Sequence, residues 1–285
     1  MSGERTFERI ESLFDVALFS DVRVLVAGCG SGGGSVALQL VMSGIRNFTL
    51  IDHDTLGPEN VIRHICGRRY IGQKKVDAVA HVLLDRNPKA SIAKIDADIM
   101  TYPNLASEIA VADVVVLATD NEPTRYTINE LCVRHSTPFV VGRVFTRGIG
   151  GEAFAYRPPD GACLACLEVG LERTPLREGI REIDLFSEEE REKVYGMEIA
   201  EIKDSPGLAV DIAFITSFHT RYVLDAVARR LPERPKYLDP IDENYLVWGN
   251  RQAHPFKRPF QLQRIAIDPQ EQCAVCAVRN AADAD

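Results

Sequence analysis

Ser20–His64 reads SDVRVLVAGCGSGGGSVALQLVMSGIRNFTLIDHDTLGPENVIRH, and this stretch decides the fold. Its run Val22–Ala27 is apolar and rich in β-branched residues, which predicts a short buried strand. Three glycines follow the strand directly in G-x-G-x-x-G register, at Gly28, Gly30 and Gly33. Such glycines allow a sharp turn, a close approach of the backbone to a phosphate, and close packing of the next helix. This order predicts an α/β fold that binds a nucleotide.

The elements after the glycine turn fit the same prediction. We expect a helix to begin near Gly34, with its unpaired N–H groups and positive end directed at an anion. The second strand, Asn47–Ile51, ends at Asp52, nineteen residues after Gly33. An acidic residue at this place commonly binds ribose hydroxyls. These features indicate a bound nucleotide, but they do not separate NAD from ATP.

Cationic and amide side chains follow Asp52, and they bear on the choice of nucleotide. Asn60 and Arg63 come eight and eleven residues after this aspartate, and Lys75 comes shortly beyond. Arginine is a bidentate phosphate donor and lysine is a point charge, so the set suits a triphosphate. A nicotinamide site has no need of these residues, which places an NAD-dependent oxidoreductase last among the functions considered.

Five motifs along this part of the chain resemble the pattern of the family of ThiF, MoeB and the ubiquitin-activating enzymes. In order they are G-x-G-x-x-G, D-x-D, N-x-x-R, G-x-x-K and T-D-N. They lie at Gly28/Gly30/Gly33, Asp52/Asp54, Asn60/Arg63, Gly72/Lys75 and Thr119/Asp120/Asn121. The resemblance implies ATP-dependent adenylation of the C-terminal glycine of a small ubiquitin-like or sulfur-carrier protein ending in Gly-Gly, with release of pyrophosphate.

The resemblance also implies roles for the motif residues. The residues expected to contact ATP are Gly28, Gly30, Gly33, Asp52, Asp54, Asn60, Arg63, Lys75, Asp120 and Asn121. Asp120 is expected to hold Mg²⁺ on the phosphates, because a hard cation prefers carboxylate oxygen. The alternative for Asp120 is the N-cap of a helix predicted over Glu122–Arg134. Catalysis is expected from Arg63, Lys75 and Asp120, with a further arginine from the N-terminus.

That arginine lies in a predicted amphipathic helix over Thr6–Phe19. In the resembling family an arginine here, within an aromatic-x-R pattern, reaches across a homodimer to the γ-phosphate of the partner's ATP. Phe7-Glu8-Arg9 fits this pattern, so Arg9 is the first candidate and Arg5 the second. The alternative for Arg9 is an ordinary surface position on a charged helix.

The chain has seven cysteines, four of them in the C-x-x-C pairs Cys163/Cys166 and Cys273/Cys276. Two such pairs predict a closed, structural tetrathiolate zinc site, and a single pair can instead be redox-active. In the resembling family, widely separated pairs bind zinc and tie the C-terminus to the core. Relatives that form a thioester usually place a cysteine between the pairs, and its absence here favours adenylation alone. Cys66, near several arginines, is the alternative nucleophile if its pKa is lowered.

The whole pattern predicts an α/β, Rossmann-like doubly wound sheet, mostly parallel, with an antiparallel extension and a zinc-tied C-terminal segment. We expect an N-terminal helix in 1–20, a nucleotide-binding adenylation core in 21–170, a charged crossover segment in 171–206, and a helix, strands and the zinc-binding end in 207–285. Further strands are predicted at Ala90–Asp96, Val111–Ala118, Pro138–Arg147, Glu152–Tyr156, Tyr245–Trp248 and Phe260–Ile267, and helices at Lys75–Asn87 and Gly207–Leu231. Cys29, Cys132 and His219 are predicted to be core residues.

Composition and charge argue against several classes of protein. The 285 residues carry a formal net charge of −8, and 46% are hydrophobic, as in a soluble globular protein. The negative charge argues against nucleic-acid binding. No stretch is long enough for a membrane span and the start has no apolar signal core, so we expect a cytoplasmic protein.

Two alternatives to the adenylation of a ubiquitin-like acceptor stay open. One keeps the ATP chemistry and changes the acceptor to a peptide C-terminus or a carbonyl on modified tRNA, although the acidic charge argues against the tRNA. The other is a zinc-stabilised scaffold that binds a nucleotide or a ubiquitin-like partner without turnover. The full set of phosphate-binding residues argues against the scaffold, which has no physical need of them.

Overall fold

An eight-stranded sheet forms the centre of the structure, a computed structural model that describes residues 6–11, 14–145, 148–172, 207–253 and 255–277. Its strands are β1 (Arg23–Ala27), β2 (Asn47–Ile51), β3 (Ser91–Ile95), β4 (Val114–Leu117), β5 (Phe139–Val144), β6 (Gly150–Tyr156), β7 (Tyr245–Gly249) and β8 (Gln261–Ile265). They lie in the order β3-β2-β1-β4-β5-β6-β7-β8. The first five in this order pair in parallel, and β6, β7 and β8 pair antiparallel. This confirms the predicted, mostly parallel sheet with an antiparallel extension.

Helices cover both faces of this sheet. Those in the described part of the chain are α1 (Ser31–Met42), α2 (Lys75–Arg86), α3 (Leu105–Val111), α4 (Glu122–His135), α5 (Leu164–Glu172) and α6 (Ala209–Ala228). Successive strand residues point to opposite faces, so Val26 packs with residues of α1, α2 and α6, while Leu25 packs with residues of α3, α4 and α5. β1 is therefore buried on both faces, as expected for a central parallel strand.

The strand order also places the candidate site. In the sheet, β2 lies on one side of β1 and β4 lies on the other. The chain leaves β1 towards β2 and leaves β4 towards β5, so the connections after β1 and β4 run in opposite directions. In open α/β sheets, a crevice forms at such a switch point, outside the carboxyl ends of the strands. The predicted glycine turn follows β1, and the predicted T-D-N motif follows β4.

Two predictions of local structure were wrong. Thr6–Phe19 is not one helix: Thr6–Glu11 forms turns, and a separate 3₁₀ helix covers Val16–Phe19. Asp15 is the N-cap of that short helix: its backbone is extended, and its carboxylate accepts a hydrogen bond from the Ala17 N–H at 3.0 Å. The strand predicted over Val111–Ala118 is shorter, because its first residue belongs to α3, which had not been predicted.

The C-terminal part of the chain completes the sheet. The predicted helix over Gly207–Leu231 is α6, and the two last predicted strands are β7 and β8. Apart from Leu171 and Glu172, which end α5, the predicted crossover segment 171–206 lies outside the described residues. Among the described helices, none combines the length and hydropathy needed to cross a membrane.

Candidate active site

A cavity of about 450 Å³ lies at the carboxyl ends of the parallel strands. The sequence-predicted residues that line it are Gly28, Gly30, Asp52, Asp54, Asn60, Arg63, Lys75, Thr119, Asp120 and Asn121. Further walls come from Asp98 and Ile99, from Thr124 and Arg125 of α4, from Gly142–Phe145 at and just after the end of β5, and from the inward face of α6. The structure therefore brings all five motifs to one cavity, although they are spread over about a hundred residues of sequence.

Steric contacts require glycine at two positions of the glycine turn, whereas the third glycine faces open space. Gly28 has φ +92, and a Cβ there would lie 2.7 Å from the carbonyl oxygen of Ala118. A Cβ at Gly33 would overlap the carbonyl oxygen of Gly28, so this glycine permits α1 to pack on the turn. At Gly30, a Cβ would meet nothing within 4 Å, and no side chain caps α1 there. The start of α1 is thus open to an anion in the cavity.

Asp52 supports the turn as well as facing the cavity. It is 8% exposed, and its Oδ2 and Oδ1 accept hydrogen bonds from the Cys29 N–H at 2.7 Å and the Asp54 N–H at 2.8 Å. Each carboxylate oxygen has a further lone pair that can accept a ligand hydroxyl. The structural part of this role was not predicted from the sequence.

Lys75 and Asp54 form an ion pair at the edge of the cavity. The lysine Nζ lies 2.7 Å from Asp54 Oδ2. This hydrogen bond lowers the pKa of the Asp54 carboxyl. Asp54 therefore orients the lysine, in addition to lining the cavity as predicted.

The N-x-x-R segment presents a cation with an unused donor. Asn60 Oδ1 accepts a hydrogen bond from the Gly57 N–H at 3.0 Å, which closes the turn before Arg63. The Arg63 Nε is buried and has no hydrogen-bond partner among the described residues. A buried guanidinium donor without a partner is costly in the protein alone. A bound anion in the cavity would satisfy it.

His64 is a site residue that the sequence reasoning missed. Its Nδ1 accepts from the Cys66 N–H at 3.0 Å, so its Nε2 carries the proton and donates to the Cys29 carbonyl at 2.9 Å. Burial lowers the pKa of the imidazole, which keeps it neutral. The ring thereby ties the segment that carries Asn60 and Arg63 to the glycine turn. A histidine directly after Arg63 was the available signal.

Asp120 keeps its carboxylate at the cavity, because Asn121 rather than Asp120 caps α4. Asn121 Oδ1 accepts from the Thr124 N–H at 3.0 Å. Asp120 is exposed and lines the cavity. The Thr119 Oγ1 beside it is buried and lacks a partner in the described part of the chain. The capping alternative for Asp120 was wrong.

The four cysteines of the C-x-x-C pairs form one cluster. Their sulfur atoms all lie within 4.8 Å of one another, with Cys163–Cys273 at 3.6 Å and Cys166–Cys276 at 3.4 Å. A hydrogen bond from the Cys163 thiol lowers the pKa of Cys166 to about 5. Four converging sulfurs fit a tetrathiolate metal site.

The other cysteines are buried, and so is His219. Burial raises the pKa of Cys66 to about 12, so the predicted lowering of its pKa was wrong, and a buried neutral thiol is a poor nucleophile. Cys29 and Cys132 lie in the core as predicted. His219 lines the cavity, but it is 2% exposed and its Nε2 donates to the Val140 carbonyl at 2.8 Å. This agrees with its prediction as a core residue.

Sheet order, glycine turn and cavity define a Rossmann-like α/β protein with a ligand site at its switch point. The model of the ThiF family matches residues 8–255, and the chain belongs to this family. The N-terminal candidate Arg9 falls within the match; it is exposed and does not line the cavity of its own chain.

Curated relatives match about half of the chain. The Escherichia coli K12 molybdopterin-synthase adenylyltransferase is 32% identical over 149 residues, which cover 52% of this chain and 59% of the relative. The SAMP-activating enzyme E1 of Haloferax volcanii is 31% identical, covering 51% of this chain and 53% of the relative. For the adenylyltransferase and sulfurtransferase MOCS3-1 of Zea mays the identity is 34%, covering 52% and 31%. The chain thus spans between about a third and three fifths of these relatives' lengths.

Solved structures match almost the whole fold at low identity. E. coli MccB with ATP superposes with a TM-score of 0.66 at 19% identity, covering 92% of this chain and 68% of MccB. PaaA gives a TM-score of 0.67 at 17% identity, covering 94% and 84%. These likenesses establish the fold.

Proposed function

We propose that the protein uses ATP to adenylate the C-terminal glycine of a small ubiquitin-like or sulfur-carrier protein. The observation that carries this proposal is the single cavity that collects the glycine turn, Arg63, Lys75 and Asp120. The matched relatives from E. coli and Haloferax volcanii support it, since their names describe an adenylyltransferase and an activating enzyme.

The residues present fit ATP. The glycine turn and the uncapped start of α1 suit the phosphates, and Asp52 retains acceptor capacity for the ribose. Arg63 and Thr119 offer buried polar atoms without partners among the described residues, and Lys75 adds a second cation. Asn60 is placed beside them. Asp120 would hold Mg²⁺, which neutralises charge on phosphate oxygens when bound.

The chemistry needs little acid–base work from the chain. The acceptor's terminal carboxylate is already ionised near neutral pH and attacks the α-phosphorus. A new O–P bond forms, pyrophosphate leaves, and the product is an acyl-adenylate. Arg63 and Lys75 would position the phosphates and stabilise the charge that develops on them.

Adenylation without a thioester is the form of the reaction that we propose. All seven cysteines are buried, and four of them belong to the sulfur cluster. A thioester needs an accessible thiolate, which neither Cys66 nor the core cysteines provide. An adduct on a gel that forms with ATP and acceptor and disappears with thiol would contradict this.

The sulfur cluster is proposed to hold a structural zinc ion. Four thiolates close a tetrahedral site and leave no open position for catalysis. The zinc would join the start of α5 to the segment after β8, since Cys163 and Cys166 lie at one and Cys273 and Cys276 at the other. Metal analysis should find zinc in the protein, and Cys276→Ser should remove it.

A homodimer with Arg9 acting across its interface is also proposed. Arg9 is exposed and absent from the cavity of its own chain, so it can act only on another copy's site. Leu208, Val210 and Phe214, at the start of α6, are exposed apolar residues that a second copy would cover. Sedimentation should give a dimer, and mixing Arg9→Ala with Asp120→Ala protein should restore part of the activity of the inactive variants.

The central test is exchange of pyrophosphate into ATP with candidate acceptors ending in Gly-Gly. Exchange should require the acceptor's terminal glycine and should be lost in Asp120→Ala. A second candidate acceptor is a peptide C-terminus, because the MccB structures that share this fold include MccA complexes. Short peptides therefore form a second arm. If no acceptor supports exchange and ATP leaves the melting temperature unchanged, the adenylation proposal fails in favour of a scaffold.

A further inference from the structure

A buried arginine holds the turn that carries Asp120. Arg125, on the first turns of α4, is 4% exposed. Its Nε and Nη2 both donate to the carbonyl oxygen of Thr119, at 3.1 and 2.7 Å. Thr119 directly precedes Asp120, so the arginine fixes the peptide plane that leads into this aspartate.

The other side of Asp120 is fixed as well. Asn121 caps α4 through its bond from the Thr124 N–H. Asp120 therefore lies between the restrained Thr119 carbonyl and the Asn121 side chain that caps α4, while its own side chain is exposed at the cavity. An aspartate whose backbone is held in this way loses less conformational freedom when its carboxylate binds a cation.

The arginine is in turn held by a network of buried charges. Its Nη1 donates to Glu122 Oε1 at 2.6 Å, and the same oxygen accepts from Arg143 Nη1 at 2.9 Å. Arg143, on β5, also pairs with Glu152 of β6, which accepts from the Tyr245 hydroxyl of β7 at 2.6 Å. The turn at the end of β4 is thus fixed to three further strands of the sheet.

This arrangement requires the planar fork of arginine. Three of its N–H groups serve two acceptors that lie in different directions, the Thr119 carbonyl and the Glu122 carboxylate. A lysine ammonium is a single point and cannot place donors on both with the same geometry. Lysine keeps the charge, so replacing the arginine tests the geometry and leaves the net charge unchanged.

We propose that Arg125 is a positioning residue for the divalent cation of the reaction. By fixing the Thr119–Asp120 peptide, it sets the Asp120 carboxylate for a cation bound to the phosphates of ATP. This inference rests on the proposed function, because it takes ATP as the ligand of the cavity. It adds a residue that lines the cavity but whose Nε, Nη1 and Nη2 donate to Thr119 and Glu122.

The test is a titration of Mg²⁺ at a fixed ATP concentration. Binding is monitored as the ATP-dependent rise in the melting temperature of the protein. Partners that orient metal ligands typically change metal affinity by about 10- to 100-fold, so Arg125→Lys should raise the half-saturating Mg²⁺ concentration about tenfold. ATP binding without Mg²⁺ should stay within about twofold of wild type. Pyrophosphate exchange should show the same shift and recover at high Mg²⁺. Arg134→Lys, at an exposed position on the same helix, is the matched control and should follow the wild-type curve.

Glu122→Gln gives a second measurement if Arg125→Lys folds poorly. It retains an oxygen acceptor for Arg125 but removes the charge, so a smaller shift in the same direction is expected. A Mg²⁺ curve for Arg125→Lys that overlays wild type, while Asp120→Ala loses the Mg²⁺ response, would overturn the inference. Equal loss of ATP binding with and without Mg²⁺ would also overturn it, as a purely structural effect. A wild-type protein that ATP does not stabilise at all would instead overturn the proposed function, and this inference with it.

Discussion

The arginines of two regions are placed in opposite ways. Beside α6, three arginines surround the buried carboxylate of Asp225: Arg157, Arg229 and Arg234. Each of them also donates to at least one backbone carbonyl between Leu238 and Glu243. In the cavity, by contrast, the Arg63 side chain has no hydrogen-bond or ion-pair partner among the described residues.

This difference distinguishes charged residues that stabilise the fold from a charged residue that is proposed to bind a ligand. Asp225 is 2% exposed, and its three partners fasten the segment after α6 to the body of the protein. Buried charges of this kind stabilise only as a set, because each is costly without its partners. Among the described residues, the Arg63 side chain has no partner of this kind, and a bound ligand would satisfy its buried donor.

Asp225→Ala should give the largest effect in stability. It removes the common partner of three guanidinium groups that are partly exposed, so we expect a loss of about 3 kcal/mol in the free energy of unfolding, at the low end for a broken buried ion pair. Urea denaturation measures this. Asp160→Ala, at an exposed aspartate, should stay within about 0.5 kcal/mol of wild type. Equal stability of the two variants would mean that the arginine cluster is not structural.

Arg63→Ala should show the opposite profile. Among the described residues, its side chain has no hydrogen bond or ion pair to lose, so the free energy of unfolding should change by no more than about 0.5 kcal/mol. Pyrophosphate exchange should fall by about 10²-fold or more, as when one preorganised donor to a developing charge is removed. Arg68→Ala, at an exposed arginine outside the cavity, controls for loss of net charge. A destabilised Arg63→Ala protein would break the distinction between the two regions.

The sequence predicted well those features that depend on local order along the chain. The glycine turn, the two C-x-x-C pairs and the T-D-N motif depend on residues that are close together or regularly spaced. Their chemistry follows from local geometry, because a strand followed by glycines and a helix has few arrangements. The parallel core and the convergence of the motifs on one cavity followed from that local order.

Other features depend on contacts that sequence spacing does not reveal. Asp225 and Arg157 are far apart in the chain, and nothing in the pattern of either one indicates the pair. The pKa of Cys66 was misjudged because the neighbouring arginines are visible in the sequence, whereas the burial that dominates is not. The role proposed for Arg125 has no sequence pattern, because its acceptor is the Thr119 backbone carbonyl.

Gly30→Ala should sharpen the comparison within the glycine turn. A Cβ at Gly30 meets nothing within 4 Å and the backbone φ is −71, so the fold should tolerate alanine. The methyl group would enter the space proposed for the phosphates, and overpacking of about 1–3 kcal/mol predicts a loss of ATP affinity of about 5- to 150-fold, measured by calorimetry.

Gly67→Ala is the matched control for this substitution. A Cβ there also meets nothing within 4 Å, its φ is −82, and the residue lies outside the cavity lining. It should bind ATP as wild type does. Wild-type affinity in Gly30→Ala would mean that the phosphates do not approach this glycine.

His219 gives the smallest effect and tests a buried polar group that faces the cavity but serves the fold. Burial lowers the pKa of its imidazole from 6.5 to about 4. The unfolded chain therefore binds a proton as pH falls below 6.5, while the native protein does not, and stability declines over that window. Above 6.5 the contribution of the neutral ring is fully present. Between about pH 7 and pH 5.5 the loss should be about 1 kcal/mol.

His219→Gln isolates this term, because glutamine does not titrate and its amide can donate to the Val140 carbonyl in place of Nε2. Other groups titrate equally in both proteins, so their contributions cancel in the difference between the two free energies of unfolding. That difference should shrink by about 1 kcal/mol as the pH is lowered from about 7 to 5.5. A difference that does not change with pH would mean that the native imidazole accepts a proton as readily as the unfolded one. His219 would then have a charged partner or a water-filled cavity beside it. We would in that case group it with Arg63, among the residues proposed to bind a ligand.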